Sequence, residues 1–480
     1  MKLSLFGVGD AGTRLLNEFV QAEADTGRNF TDGNVLAFNT AAETFGEATV
    51  IPEERQILIG DTHPEVNQYV DPESDDPASS PGGGDAAPGD GSTAPGDAGA
   101  APGDGSTAPG VDADPDLGAT VAGDELPEIR RALDLVDDTE VDAAMLVVGL
   151  GGGTGAGVGS VLLEELESIY ESPIYVLGVL PASTESDQRA LTAARAVRTF
   201  VPMADAVLPV DNDAWRRDSE PLDEQYDRIN EAVTTRVLSL FAAGETEPES
   251  VSEMRIDPAD MRRTLAVGGL ASIGYSTVEV ETDSDGLIAR LWRLLGLADE
   301  TPDTKTDAAT IKRLVRRALE SKLTLPCDIT SADRVLLILS GPPGDISRKG
   351  FETGRYLLEQ ETTTVEVLAG DEPVPTASTI TATVLLSNVT DVPQRRGVDY
   401  LPDTDTASDS GATTDDDSDD HGFEFQDGGV DPDEADSAEG DGDATDGAGE
   451  SDAESDADAA AAAGEDDESV ESTPATADGE

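Results

Sequence analysis

Gly151-Gly152-Gly153-Thr154-Gly155-Ala156-Gly157 stands between an apolar, strand-like run at 145–148 and a helical pattern over 158–169. Strand, bare backbone and helix in that order place unblocked N–H groups at a helix N-terminus, the geometry that binds phosphate. The glycines allow close approach to phosphate oxygens and positive φ angles, and the Thr154 hydroxyl adds one donor. No Gly-Lys-Ser/Thr follows, so this is not a Walker loop. A flexible linker has similar composition, but linkers seldom join a buried strand to a good helix.

A second glycine turn, Gly7-Val8-Gly9-Asp10-Ala11-Gly12, joins the apolar run 2–6 to a helix expected from about Thr13. It matches G-x-G-x-x-G, a weak signal alone, shared by dinucleotide-binding folds and by ligand-free tight turns. A dinucleotide fold places an acid at the end of its second strand to hold a ribose. Here that strand ends in Phe38-Asn39-Thr40, which argues against an NAD-dependent enzyme.

Outward from these turns, 2–6, 34–38 and 56–59 read as buried strands alternating with helical patterns. Further strands are expected at 143–148, 174–180, 206–210, 272–281, 334–339, 364–368 and 380–386, and helices at 158–169, 188–200, 222–240, 308–319 and 348–361. That alternation predicts an α/β fold with mainly parallel sheet. Residues 71–110 are Pro, Gly, Asp, Ser and Ala with almost nothing to bury, and an eleven-residue segment at 86–96 recurs at 100–110, so a disordered, duplicated insertion is expected. After Arg396 there is no Lys or Arg, and 393–480 reads as a disordered acidic tail. Two compact domains follow, 1–240 and 241–392.

Acidic side chains outnumber basic ones 101 to 30, a net charge of −71, which argues against nucleic acid and anionic membrane as partners. Such a surface suits a salt-rich cytosol, because at 1 M salt the Debye length is only about 3 Å. Acidic tails alone would raise the count, yet expected folded segments are acid-rich too, at Glu23, Asp25, Glu43, Glu47, Glu53 and Glu54. The lone Cys327, in an apolar run, permits no intrachain disulfide or cysteine metal cluster, and His63 and His421 lie in polar segments that suit no zinc site. No run reaches the roughly 18–20 apolar residues that span a bilayer, and the N-terminus has no signal-peptide layout, so a cytoplasmic location is expected.

The Gly151–Gly157 run resembles the signature loop of the tubulin/FtsZ superfamily, and the turn with Gly9, Asp10, Ala11 and Gly12 lies where that family has its first nucleotide loop. Asn39 and Thr40 resemble its second loop. Pro181-Ala182-Ser183-Thr184-Glu185 resembles the loop whose glutamate contacts ribose, with Arg189 near the phosphates. Asp211-Asn212-Asp213-Ala214-Trp215 resembles the loop that supplies an asparagine to guanine. Tyr226 and Asn230, spaced i, i+4, share a helix face, where the family stacks an aromatic on guanine and bonds its edge. Ile256-Asp257-Pro258-Ala259-Asp260-Met261 resembles the synergy loop, which in the family completes the active site of the next subunit along a filament. With 256–275, 323–329, 340–350 and 374–387, the resemblance covers nearly the whole expected ordered chain and is strongest to the archaeal CetZ branch.

The resemblance implies a Rossmann-like GTPase domain, a long central helix and a smaller α+β C-terminal domain. It implies GTP/GDP held by Gly152, Gly153, Thr154, Gly155 and Ala156 with the residues above, Mg2+ bound with the nucleotide, Asp260 or Asp257 orienting water toward the γ-phosphate of a neighbouring copy, head-to-tail self-assembly, and a role in cell shape. Either aspartate also suits a helix N-cap. Two departures stand out. Asp10 occupies a place where the family has Gln or a small residue, and its carboxylate repels phosphate unless it bonds magnesium or its water shell. The 71–110 insertion falls in the family's γ-phosphate-sensing loop, whose remnant is 110–118. A polymerising GTPase and a nucleotide-binding regulatory relative with little hydrolysis both remain compatible with these residues, with the acidic tail as an interaction arm for protein partners.

Overall fold

Six apolar runs pair into one parallel sheet: β1 (Leu3–Val8), β2 (Val35–Asn39), β3 (Gln56–Leu58), β4 (Ala143–Gly149), β5 (Ile174–Leu180) and β6 (Ala206–Asp211), in the order β3-β2-β1-β4-β5-β6. In the computed structural model the described residues are 1–46, 49–63, 66, 110–111, 113–217, 220–243, 255–280, 308–343, 345–346, 348–362, 364 and 366–393. The expected insertion, apart from Gly110, and the expected tail, apart from Pro393, lie outside them. All described residues fall in one compact unit, Met1–Asp416.

Continuous rather than alternating apolar runs make sense here, because both faces of β1, β2, β4, β5 and β6 are covered. β3 corrects the expectation of a buried strand at 56–59: it is a three-residue edge strand with Gln56 and Ile57 half-buried and Leu58 exposed. The helices α1 (Gly9–Thr26), α2 (Pro115–Asp124), α3 (Leu126–Leu133), α4 (Gly159–Ile169), α5 (Asp187–Met203), α6 (Asn212–Trp215) and α7 (Tyr226–Phe241) follow in turn. α1 starts at Gly9, not near Thr13, since Val8 already has the extended conformation of a cap residue. α2 and α3 went unforeseen. Asp114 caps α2 by accepting from the Asp116 and Leu117 amides, and Pro115 opens it at the position where a missing N–H costs nothing.

The chain continues through α8 (Pro258–Leu265), β7 (Ala271–Glu279), α9 (Ala308–Glu320), β8 (Arg334–Gly341), α10 (Arg348–Glu361), β9 (Glu366–Pro373) and β10 (Thr379–Ser387). These strands form a second sheet, β7-β10-β8-β9. The expectation of mainly parallel strands fails there: β10 runs antiparallel to both β7 and β8, and only β8 and β9, joined by the α10 crossover, are parallel. Position 281 of the expected 272–281 strand lies outside the described residues. α7 packs against α1 on one side and against β7 and β10 on the other, burying Ile229, Val233, Val237 and Leu240 at helical spacing. The helix expected from 222 begins instead with a 3-10 turn, Asp223–Gln225, and becomes α-helical at Tyr226.

Candidate functional site

Because the first sheet is parallel, the segments after β1, β2, β4, β5 and β6 all emerge at one edge. β1 lies between β2 and β4, so the chain leaves it in one direction and later resumes in the other, which opens a crevice where such folds bind ligands. Both glycine turns meet there. Gly9 has φ +70°, and a Cβ on it would lie 3.2 Å from the Gly155 nitrogen and 3.3 Å from Thr154 Cβ.

The glycine run itself departs from expectation, since none of its glycines takes positive φ. Thr154–Val158 forms a π-helical turn leading into α4. The glycines serve close packing instead. A Cβ on Gly155 would meet the Gly149 carbonyl oxygen at 2.1 Å, one on Gly157 the Pro115 oxygen at 2.2 Å, and one on Gly153 the Asp114 backbone at 2.7 Å. Gly152 differs: the nearest atom to its added Cβ is 4.0 Å away. Neither α1 nor the π turn has a side-chain cap, although within the glycine run the Gly152 amide donates to the Gly149 oxygen at 3.4 Å and the Ala156 amide to the Gly152 oxygen at 3.0 Å, so these two amides are already engaged.

Side chains tie the surrounding loops together. Thr40 Oγ1 and Thr154 Oγ1 are 2.7 Å apart and buried, and the Val111 amide donates to Thr40 Oγ1 at 3.3 Å. Asn39, buried, donates to Asp10 at 2.9 Å and accepts from the Ala41 amide, while Thr44 donates to the same Asp10 oxygen. After β5, Glu185 accepts from the Ala182 amide at 2.7 Å and pairs with Arg189 at 3.1 Å, so these two expected site residues meet each other. After β6, Asp211 caps α6, whose first residue, Asn212, is buried. Asp213 accepts from the Ser183 amide and hydroxyl and from Arg216; burial opposes its ionisation, but these bonds hold its pKa below the usual carboxylate value. Tyr226 and Asn230 sit half-buried on the first turns of α7. Gln225, buried, bonds the Arg217 amide and the Arg217, Glu220 and Pro221 carbonyls, holding the segment before that helix.

This crevice fits a nucleotide by its donor set: two uncapped helix starts, an open Gly152, one threonine hydroxyl and Arg189. No group of three or more His, Cys, Asp or Glu suited to a metal ion occurs among the described residues, and Asp10 is an exposed acid at the lip of the crevice. A separate 690 Å³ cleft between α1, α7 and the second sheet is lined by the acids Glu18, Asp25, Asp227, Glu231 and Glu372 and by Arg28 and Arg228.

Comparison with known proteins gives the family. A family described as "Tubulin/FtsZ family, GTPase domain" matches residues 102–220, and one described as "Tubulin-like CetZ, C-terminal domain" matches 219–399. The tubulin-like protein CetZ1 of Haloferax volcanii is 36% identical over 82% of this chain and 90% of its own. The chain belongs to the CetZ family of tubulin-like proteins. CetZ3 of the same organism is 35% identical over 82% of this chain and 90% of its own. Among solved structures, the GDP-bound monomer of Haloferax volcanii CetZ1 superposes with TM-score 0.63 at 33% identity, covering 82% of this chain and 96% of that one. The GTPγS-bound protofilament of CetZ2 from that organism also gives 0.63, at 30% identity, over 82% and 94%.

In this CetZ-family chain the segment 256–261, which resembles the synergy loop, lies at the other edge of the sheet. The Val207 amide, at the start of β6, donates to the Gly269 oxygen just after α8, and the charge of Arg262 on α8 acts on Tyr175 at the start of β5. Strands of six or seven residues at about 3.3 Å each put roughly 20 Å between that edge and the glycine turns. Asp257 and Asp260 form a capping box: Asp257 accepts from the Ala259 amide at 2.8 Å, and Asp260 from the Asp257 amide at 3.3 Å. So the structure gathers Gly9, Asp10, Ala11, Gly12, Asn39, the Gly152–Ala156 stretch, Glu185, Arg189 and Asn212 at one edge, and leaves Asp257 and Asp260 outside. Sequence reasoning missed Gln225, Thr44 and Ser183, isolated polar residues whose partners only the fold supplies.

Proposed function

We propose that this chain binds and hydrolyses GTP and assembles head to tail into filaments. The abutting glycine turns at the β1/β4 crevice carry the nucleotide half of this reading. Gly9, Asp10, Ala11, Gly12 and the stretch of Gly152, Gly153, Thr154, Gly155 and Ala156 hold the phosphates, Glu185 and Arg189 the ribose and phosphate side, and Asn39, Asn212, Tyr226 and Asn230 the remainder and the guanine. Mg2+, when bound with GTP, offsets charge between the phosphates. Asp260 on α8 lies too far from these loops to serve them within one chain. A copy stacked edge to edge brings its α8 to the glycine turns of the next, where Asp260 orients the attacking water. The CetZ2 relative solved as a GTPγS-bound protofilament supports that stacking.

The division into a GTP-binding part, 1–240, a C-terminal α+β part, 241–392, and a tail from 393 belongs to the same proposal, as do cytoplasmic residence in a halophilic cell and a role in cell shape. A nucleotide-binding member with little hydrolysis is the second reading. It is favoured by the Asp10 carboxylate at the phosphate lip and by the engagement of Asp260 in its own helix cap. GTP turnover measured in molar KCl with magnesium over a range of protein concentrations tests the two. Specific activity that rises with concentration supports the shared site, and tight GTP binding with flat, negligible turnover overturns it.

A further inference from the structure

In a chain with 30 basic residues against 101 acidic ones, five cations fall within positions 312–322: Lys312, Arg313, Arg316, Arg317 and Lys322. All five are exposed, because α9 buries Ile311, Leu314, Val315, Ala318 and Leu319 and turns its other face outward. Gly354 of α10 lets the two helices approach, since a Cβ there would lie 3.1 Å from Val315 and 3.5 Å from Ile311, and Arg316 reaches Glu361 at 2.7 Å. Exposed side chains on the two helices include Lys312 and Arg316 on one and Arg355 and Tyr356 on the other, together with the acids Glu320, Glu352 and Glu361. At 59% exposure, Tyr356 is the most exposed large hydrophobic side chain among the described residues. Arg348 and Arg355 form only exposed i, i+4 pairs, which contribute little. Lys312 and Arg317 on α9 and Lys349 on α10 have no carboxylate within ion-pair distance among the described residues, and on the exposed face of α9 four cations stand against the single acid Glu320.

Exposed cations and an exposed ring on two packed helices match an acidic segment carrying aromatic side chains. This sequence contains one. Asp415-Asp416-Asp417-Ser418-Asp419-Asp420 is followed by Phe423-Glu424-Phe425, whose two rings are the only aromatics after Tyr400, and no Lys or Arg occurs after Arg396. We propose that the α9–α10 face is a docking surface for residues 415–427 of a second copy of this chain. The aspartates meet the α9 cations, and a phenylalanine covers Tyr356. Salt screens both the net repulsion between copies at −71 each and the exposed ion pairs, whereas burial of the rings is not screened, so the ring contact carries the docking as salt rises. This docking is independent of the nucleotide chemistry proposed above.

The test is fluorescence anisotropy of a labelled peptide spanning 413–428, titrated with the full chain in KCl from about 0.15 M, where the Debye length is about 8 Å. Saturable binding is expected, weakened about tenfold or more, roughly 1.4 kcal/mol, by the triple change Lys312→Glu, Arg313→Glu, Arg317→Glu. Because those side chains lie outside the nucleotide crevice, GTP binding by the triple variant should match the parent, which also confirms its folding. Tyr356→Ala, a single exposed change, should weaken binding several-fold, as should Phe423→Ala with Phe425→Ala in the peptide. Unchanged affinity in the triple variant, or equal capture of polyaspartate or anionic vesicles, overturns the proposal.

Discussion

Thr40 Oγ1 lies 2.7 Å from Thr154 Oγ1, a buried contact that ties the loop after β2 to the glycine turn after β4 across the intervening β1. Since the Val111 amide donates to the same Thr40 oxygen, the segment that resumes after the insertion is fastened at this point as well. Thr40→Val keeps the shape and removes the hydroxyl, leaving two buried polar groups unpaired at a cost of about 1–3 kcal/mol. The melting temperature should fall by several degrees and GDP affinity should drop; scanning calorimetry with and without GDP measures both.

Gly155→Ala and Gly152→Ala should separate packing from binding. The first places a Cβ 2.1 Å from the Gly149 oxygen, which rigid backbone cannot relieve, so folded yield and melting temperature should collapse. The second meets nothing within 4.0 Å and should leave stability unchanged while weakening nucleotide binding. Equal melting losses in the two would show that Gly152 is also a packing residue.

Asp260→Ala should abolish turnover with GTP affinity nearly intact. It should also cost about 1 kcal/mol of stability, because the capping box loses one of its two bonds. Asp260→Asn keeps an acceptor for the Asp257 amide but no charge. Turnover restored in Asp260→Asn would assign the residue to the helix cap alone.

Asp10→Asn removes the carboxylate from the lip of the crevice while Asn39 and Thr44 still find an acceptor. Without magnesium, nucleotide should bind the variant about tenfold more tightly, the effect of one like charge removed at short range. With magnesium the gain should shrink. Affinity unchanged under both conditions would place Asp10 away from the phosphates.

Glu18 on α1 has its pKa raised by burial first, then by Asp227 and Glu231 on α7. A raised folded-state pKa means the folded protein binds the proton more tightly, so this contribution to stability is full below the unfolded value, about 4.3, and is lost as pH rises. Glu18→Gln should therefore melt about 1 °C higher at pH 7, with the advantage closing as pH approaches 4. A variant less stable at pH 7 would contradict the sign.

Much of the site was legible in the sequence. A strand, a glycine run and a helix in succession locate the phosphate turn, and Asn39, Glu185 and Asn212 follow strand ends that the apolar runs reveal. The reason for the glycines was not legible. Gly153, Gly155 and Gly157 answer to Asp114, Gly149 and Pro115, and two of those partners reach them through α2, a helix with weak periodicity that follows the insertion. Gln225 was equally hidden, because its backbone partners lie in an irregular segment without pattern.

By itself the sequence determined most strand positions and the longer helices, the acidic balance and the two glycine turns, but not α2 and α3, since periodicity, charge and glycine content are local properties of the chain. Only the tertiary structure decided that β1 lies between β2 and β4, so that both turns share one crevice, and that Asp260 sits at the opposite sheet edge. Strand order is set by pairing between residues more than a hundred positions apart, such as Leu3 with Ala143, and no local pattern encodes which distant neighbour a strand will find.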